Sequence, residues 1–297
     1  MFNRHVRYAG REAGFTGMTN HDPGELFMKD TALDSIRHYT MRHGLLMGVA
    51  RADTLNEKAP AGFRPEDLMQ GARSVLVLAK PLSLGVFLAD GTMFYQRSAH
   101  SYYTLMDEAA NMISSMIEKT GSRALPVPAY SPLRFQKGEP RGLISLKHVA
   151  AESGLGRLGR NTLLIHPEFG NIMRLGALVT DMDWPEYSAP LDFNPCPKGC
   201  HACERLCPIG AIRDGSVDKV ACLGKCVKHV LLPPSFMLPI IKYIVARSIV
   251  MTRFMELLSL NFFETYGIGC MECLKACIHF PGNRKGSTER PTSSPIM

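Results

Sequence analysis

Hydrophobic positions along this chain recur at helical spacing in some stretches and close up into short unbroken runs in others. The segment DTALDSIRHYTMRHG, residues 30–44, opens on Asp30, a residue suited to capping a helix, and stops at Gly44. The short apolar run LLMGVA follows it. SVLVLA, from Ser74 to Ala79, is β-branched and apolar enough to predict a buried strand. In YYTLMDEAANMISSMIEKTG, Leu105, Ala109, Met112, Met116 and Ile117 fall at helical spacing and Gly121 ends the pattern. RLGALVTD, ending at Asp181, predicts a second strand. Helices alternating with buried strands predict an α/β core for this part of the chain.

A change of composition at Pro185, Pro190, Pro195 and Pro197 places a domain boundary there. The expected organisation is an α/β domain over residues 1–188, a cysteine-bearing domain over 189–285 and a flexible tail over 286–297. The second domain contains an apolar insertion at 227–266, read as helices over the cysteine-bearing part. Its apolar runs are cut by Pro233, Pro234, Pro239, Lys242, Arg247 and Arg253, so no single helix drawn from it spans a bilayer. Phe236, Met237, Ile240, Ile241, Ile244, Val245, Ile249, Val250, Phe254 and Met255 are more apolar residues than a short cover needs. Any that stay exposed form a docking surface for a redox or corrinoid protein, with a membrane-surface helix as the further alternative.

Composition narrows the class. Hydrophobic content of 45% and charged content of 21% are those of an ordinary globular protein. The start MFNRHVRYAGREAG carries charges where a secretory signal needs an apolar core, so a cytoplasmic protein is expected. All nine cysteines lie between Cys196 and Cys277, which favours metal binding over a disulfide framework. The net charge of +7 is concentrated after Pro190, where 13 Lys and Arg face 8 Asp and Glu. These charges are scattered, without the blocks that mark a nucleic-acid patch.

The cysteines carry the chemistry. Cys196, Cys200, Cys203 and Cys207 read C-x3-C-x2-C-x3-C-P, and Cys270, Cys273 and Cys277 read C-x2-C-x3-C. Close spacing lets three thiolates from one turn of chain cap three irons of a cubane while a remote cysteine takes the fourth. In two-cluster ferredoxins the cysteine before proline ligates the other cluster. One [4Fe-4S] cluster is therefore assigned to Cys196, Cys200, Cys203 and Cys277. A second is assigned to Cys207, Cys270, Cys273 and one cysteine of ACLGKC, Cys222 or Cys226. Structural zinc is the competing reading. His201 and His229 read as packing or surface residues.

ISLKHVAAESGLGRLGRNTLLIHPEFGNIMRLGALVTD, residues 144–181, followed by the two-cluster pattern, resembles the epoxyqueuosine reductase and reductive dehalogenase superfamily. The resemblance implies an α/β core of nitroreductase-like α+β type, able to bind cobalamin, followed by a small two-cluster bacterial ferredoxin-like domain. It also places the eighth ligand after VDKVA, at Cys222. GLGRLGRN matches the family's glycine-rich segment, making Gly154, Leu155, Gly156, Arg157, Gly159, Arg160 and Asn161 the candidate corrinoid contacts. Glycine lets backbone approach a large planar ligand, and Arg160 is placed to bind its phosphate tail. Arg157 stands where the family has tryptophan, and VPAYSPL stands where it carries an acid proposed as proton donor. No acid lies between Val127 and Lys137, so either protonation is done differently, with Tyr130 the candidate donor, or the chain does not reduce epoxyqueuosine.

The leading expectation is an iron–sulfur oxidoreductase passing low-potential single electrons to a corrinoid in its own α/β domain, for reductive cleavage of a small substrate. The alternative is an electron-transfer protein that reduces a corrinoid or cofactor on a partner. A third is reduction of epoxyqueuosine in tRNA. Expected partners are an external donor such as ferredoxin or flavodoxin, and a corrinoid or redox protein docking on 227–266.

Overall fold

Two eight-residue strands buried on both faces set the frame. The computed structural model describes residues 23–130, 132–228, 235–265 and 267–283. Its first part runs α1 (Pro23–Arg42), β1 (Leu46–Arg51), α2 (Ala52–Lys58), α3 (Pro65–Leu68), β2 (Ser74–Pro81), α4 (Gly85–Leu88), α5 (Met93–Glu118) and β3 (Ala124–Val127). The hairpin β4 (Leu133–Gln136) and β5 (Glu139–Gly142), α6 (Leu146–Glu152), the short pair β6 (Arg157–Leu158) and β7 (Leu164–Ile165), and β8 (Met173–Thr180) complete it.

The sheet order is β1-β2-β8-β3 and every pairing is antiparallel, with Val75 opposite Val179 and Val77 opposite Ala177. Alternation along β2 and β8 splits the core in two. Val75, Val77, Ala79, Ala177 and Val179 face Val149 and Ala150 of α6. Leu76, Leu78 and Leu178 face Met106, Ala109, Ile113 and Ile117 of α5, with Ile36 of α1 beside them. Burial on both faces is why these strands read as unbroken apolar runs rather than alternating ones. The α/β core expected from the sequence is borne out, as a sheet between helical layers. Helix α1 starts at Pro23, so Asp30 lies inside it and not at its cap. Proline is at home in a first helical turn, and the chain is already helical seven residues before the expected cap.

The cysteine-bearing part runs α7 (Ala202–Arg205), β9 (Ile212–Arg213), β10 (Ser216–Val217), α8 (Lys219–Cys226), β11 (Val227–Lys228), α9 (Leu238–Arg247), α10 (Ile249–Thr265), β12 (Gly267–Ile268) and α11 (Glu272–Lys275). Within 227–266, Leu238–Arg247 and Ile249–Thr265 are helical. Val245 faces inward, whereas Phe236, Met237, Ile240, Ile244, Ile249, Val250 and Phe254 are exposed. His229, Pro233, Pro234 and the 286–297 tail lie outside the described residues. No helix among the described residues is long and apolar enough to cross a membrane.

Candidate metal centre

The cysteines are positioned by short helices and by polar clamps to the α/β part. Asp218 caps α8 by accepting hydrogen bonds from Val220 N at 3.1 Å and Ala221 N at 3.0 Å, which fixes the helix carrying Cys222 and Cys226. Strand β11 then pairs with β12, bringing Cys226 beside the approach to Cys270, and Gly269 N donates to Cys226 O. Met271, Leu274 and Phe280 pack into a third apolar cluster with Leu82, Phe87, Tyr95 and Ile172. Two asparagines tie the same run down: Asn161 Nδ2 donates to Cys273 O at 3.2 Å and Asn171 Nδ2 to Leu274 O at 2.8 Å. His279 Nε2 meets Pro195 O at 2.7 Å, joining the two cysteine runs directly.

This folding sorts the thiols into two neighbouring groups. Cys196, Cys200, Cys203 and Cys277 ring a recess of about 280 Å³, counting its open mouth, with Arg160, Asn161, Ile165 and Pro195 on its wall. The second group gathers round Cys273, whose thiol feels Cys222 and Cys270 most strongly and Cys203 and Cys207 beyond them. Cys222 Sγ lies 3.6 Å from Cys226 Sγ, so both thiols of α8 stand at the second group. Among the described residues no three Cys, His, Asp or Glu side chains converge as a single ion requires. The thiols round the recess are a donor set that either an iron–sulfur core or zinc takes.

Crowding and burial act on these thiols together. Burial pushes the Cys203 and Cys277 thiols up, and the Cys273 thiol to about 12. The hydrogen bond with Cys226 brings Cys222 down to about 7, while the same bond and burial drive Cys226 far up. Half-buried thiols massed like this ionise together only when bound metal offsets their charge. Backbone donors already face the sulfurs: Arg160 N lies 3.4 Å from Cys196 Sγ and Ala211 N 3.2 Å from Cys207 Sγ.

The glycine-rich loop is occupied by the chain itself. A Cβ on Gly154, at φ +74°, would lie 2.6 Å from Ala189 O, and one on Gly156 would strike Ile165 O. Gly159 sits against Ile165 Cδ1. Arg160 Nη1 reaches Glu204 Oε1 at 3.4 Å, and His201 Nδ1 meets Glu204 Oε2 at 2.6 Å. His201 first and Arg160 second hold the Glu204 carboxyl below its ordinary range. Leu155 is buried in the core, Arg157 is exposed and Asn161 is committed to Cys273. Gly154, Gly156, Gly159, Arg160 and Asn161 thus serve chain packing and the cysteine groups. Arg160 keeps its other guanidinium nitrogens beyond this one contact with Glu204.

Tyr130 stacks on Tyr103, ring centroids 4.5 Å apart, and Arg174 lies over the Tyr103 ring. Three residues near the site carry no motif that singles them out in the sequence. Glu139 binds Lys242 Nζ at 2.8 Å and Lys219 Nζ at 3.6 Å. Lys147 donates to Thr162 Oγ1 at 3.0 Å, and burial lowers its ammonium to about 8. Asn171 clamps α11. Their partners lie up to 103 residues away, beyond any local pattern.

No protein-family model matches the chain. Curated relatives include an epoxyqueuosine reductase of Lactococcus garvieae (strain Lg2), 42% identical over 80 residues that make up 26% of this chain and 21% of the relative. The epoxyqueuosine reductase of Salmonella typhimurium (strain LT2) is 27% identical over 232 residues, 74% of this chain and 55% of the relative. The matches thus span little more than half the length of those relatives at most. The solved structure of an epoxyqueuosine reductase with an epoxyqueuosine-modified tRNA-Tyr stem loop superposes with TM-score 0.56 at 15% identity, over 90% of this chain and 68% of that one. The similarity to epoxyqueuosine reductases expected from the sequence is borne out in sequence and in fold.

Proposed function

We propose that the chain is an iron–sulfur reductase in which two [4Fe-4S] clusters relay single electrons to an acceptor at the α/β part. One observation carries the reading: Cys277 joins Cys196, Cys200 and Cys203 round one recess, away from its sequence neighbours Cys270 and Cys273. That crossed arrangement is what two-cluster domains require. We assign Cys207, Cys222, Cys270 and Cys273 to the second cluster and treat Cys226 as the thiol beside Cys222.

Bound clusters supply one-electron reduction. The chain's own residues hold them and set their surroundings. Arg160 N and Ala211 N donate to ligand sulfurs, which favours the reduced state by spreading negative charge. Asn161 and Asn171 keep the second cysteine run against the α/β part, and the Met271, Leu274 and Phe280 cluster excludes water behind it.

For substrate, the named relatives favour epoxyqueuosine in tRNA over a small halogenated or other small molecule, and the net charge of +7 suits a polyanion. The window 128–136 holds no acid, and the nearest one beyond it, Glu139, is paired to two lysines. The test is anaerobic turnover of an epoxyqueuosine-modified stem loop by reduced protein, with and without added cobalamin, read by nucleoside mass spectrometry. Loss of the epoxide oxygen is expected. Clusters that reduce fully yet leave the stem loop unchanged in both arms would favour electron transfer to a partner protein instead.

A further inference from the structure

Helices α9 and α10 hold the molecule with their polar side chains and turn their apolar ones outward. Lys242 Nζ binds Glu139 at 2.8 Å, Phe135 N donates to Glu256 Oε1 at 3.3 Å, and Leu133 N donates to Ser259 Oγ at 3.1 Å. Outward stand Phe236 and Val250, each 75% exposed, Ile249 at 70%, Leu257 at 63%, Ile240 at 58% and Phe254 at 56%. A surface helix in water shows the reverse arrangement. Val250, Arg253, Phe254 and Leu257 follow helical spacing along the outer side of α10, as Phe236, Ile240, Tyr243 and Arg247 do through α9 and the turn before it. So large a set of exposed aliphatic and aromatic side chains marks an interaction surface.

Charge selects the occupant. From Lys219 to Met255 the sequence holds no Asp or Glu; Lys219 and Lys242 are paired with Glu139, and Arg247 and Arg253 stand exposed. The Arg247 guanidinium lies 3.7 Å over the Tyr243 ring, and Arg253 is exposed between Val250 and Phe254. A second copy of this surface would set arginine against arginine. Transient complexes with electron carriers bury small areas, for which an aliphatic face this broad is unsuited. An anionic lipid surface matches both features: apolar side chains enter the acyl boundary while arginines and tyrosine stay among the headgroups. We propose that the outer face of α9 and α10 docks this protein on an anionic lipid surface. Helix α8, which carries Cys222 and Cys226, packs on α9, so docking sets the second cysteine group near the lipid.

The test is flotation of the full chain, purified anaerobically, with phosphatidylcholine vesicles with and without phosphatidylglycerol. The protein should float with the phosphatidylglycerol vesicles, less so as salt is raised, and weakly with phosphatidylcholine alone. Val250→Ser and Phe254→Ser should each weaken partitioning about tenfold with unchanged circular dichroism and iron content. Arg247→Gln with Arg253→Gln should cost several-fold on anionic vesicles and little on neutral ones. Failure of the wild type to float with anionic vesicles overturns the proposal, as does equal flotation of the serine variants. Self-association, or retention of flavodoxin, that the serine substitutions abolish without any vesicle binding would assign the face to a second copy or to a soluble carrier, and overturns it too.

Discussion

Cys222 and Cys226 sit one helical turn apart with their sulfurs in contact, yet Cys222 is assigned as a cluster ligand and Cys226 as its neighbour. Cys222→Ser should remove most of one cluster's signal from the reduced electron paramagnetic resonance spectrum, whereas Cys226→Ser should shift it and leave its intensity. Equal loss in both variants would contradict the assignment. Gly156 is a second residue where the sequence matters atom by atom, because a Cβ there meets Ile165 O in the loop that abuts both cysteine groups. Gly156→Ala should cost about 1–3 kcal/mol in unfolding free energy and lower iron retention with it. The cysteine spacing and the glycines were legible in the sequence because ligation and steric exclusion act over a few residues. What the glycines face was not: the approach of Ala189 and Ile165 is made by chain folding back from elsewhere in the sequence.

At the scale of elements, strands β2 and β8 could be read from their apolar runs, because both faces are buried, and helix α5 from its helical period, because one face is. The helices of 227–266 were legible as helices, but the side they present was not. That depends on Glu139, whose carboxylate takes up Lys242 and thereby turns the polar side of α9 inward. The Lys242 hydrogen bond, opposed by partial burial, holds Glu139 below its ordinary value of 4.5. A depressed carboxylate stabilises fully above that ordinary value and loses its contribution as pH falls through the lowered one. Protection factors of amides in residues 238–259, taken against the intrinsic exchange rate at each pH, should therefore fall on acidification below pH 4.5, ahead of those in the central sheet. Glu139→Gln should speed the same exchange at neutral pH and remove that acid dependence, with a global cost below about 1 kcal/mol because the pair is partly exposed. Exchange that stays slow in the variant would show that the helices are held without this contact.

For the whole molecule, the division of labour follows from the third apolar cluster and the two asparagine clamps, which seat the cysteine runs on the edge of an antiparallel α/β body. A fold shared with epoxyqueuosine reductases at 15% identity leaves chemistry to be decided by the cysteines. The most direct measurement is iron, acid-labile sulfide and zinc per chain in anaerobically reconstituted protein, with Mössbauer spectra of the same sample. Two clusters predict about eight irons and eight sulfides per chain, all in cubane-type signals, with negligible zinc. Four irons per chain, or stoichiometric zinc with little sulfide, would contradict the account.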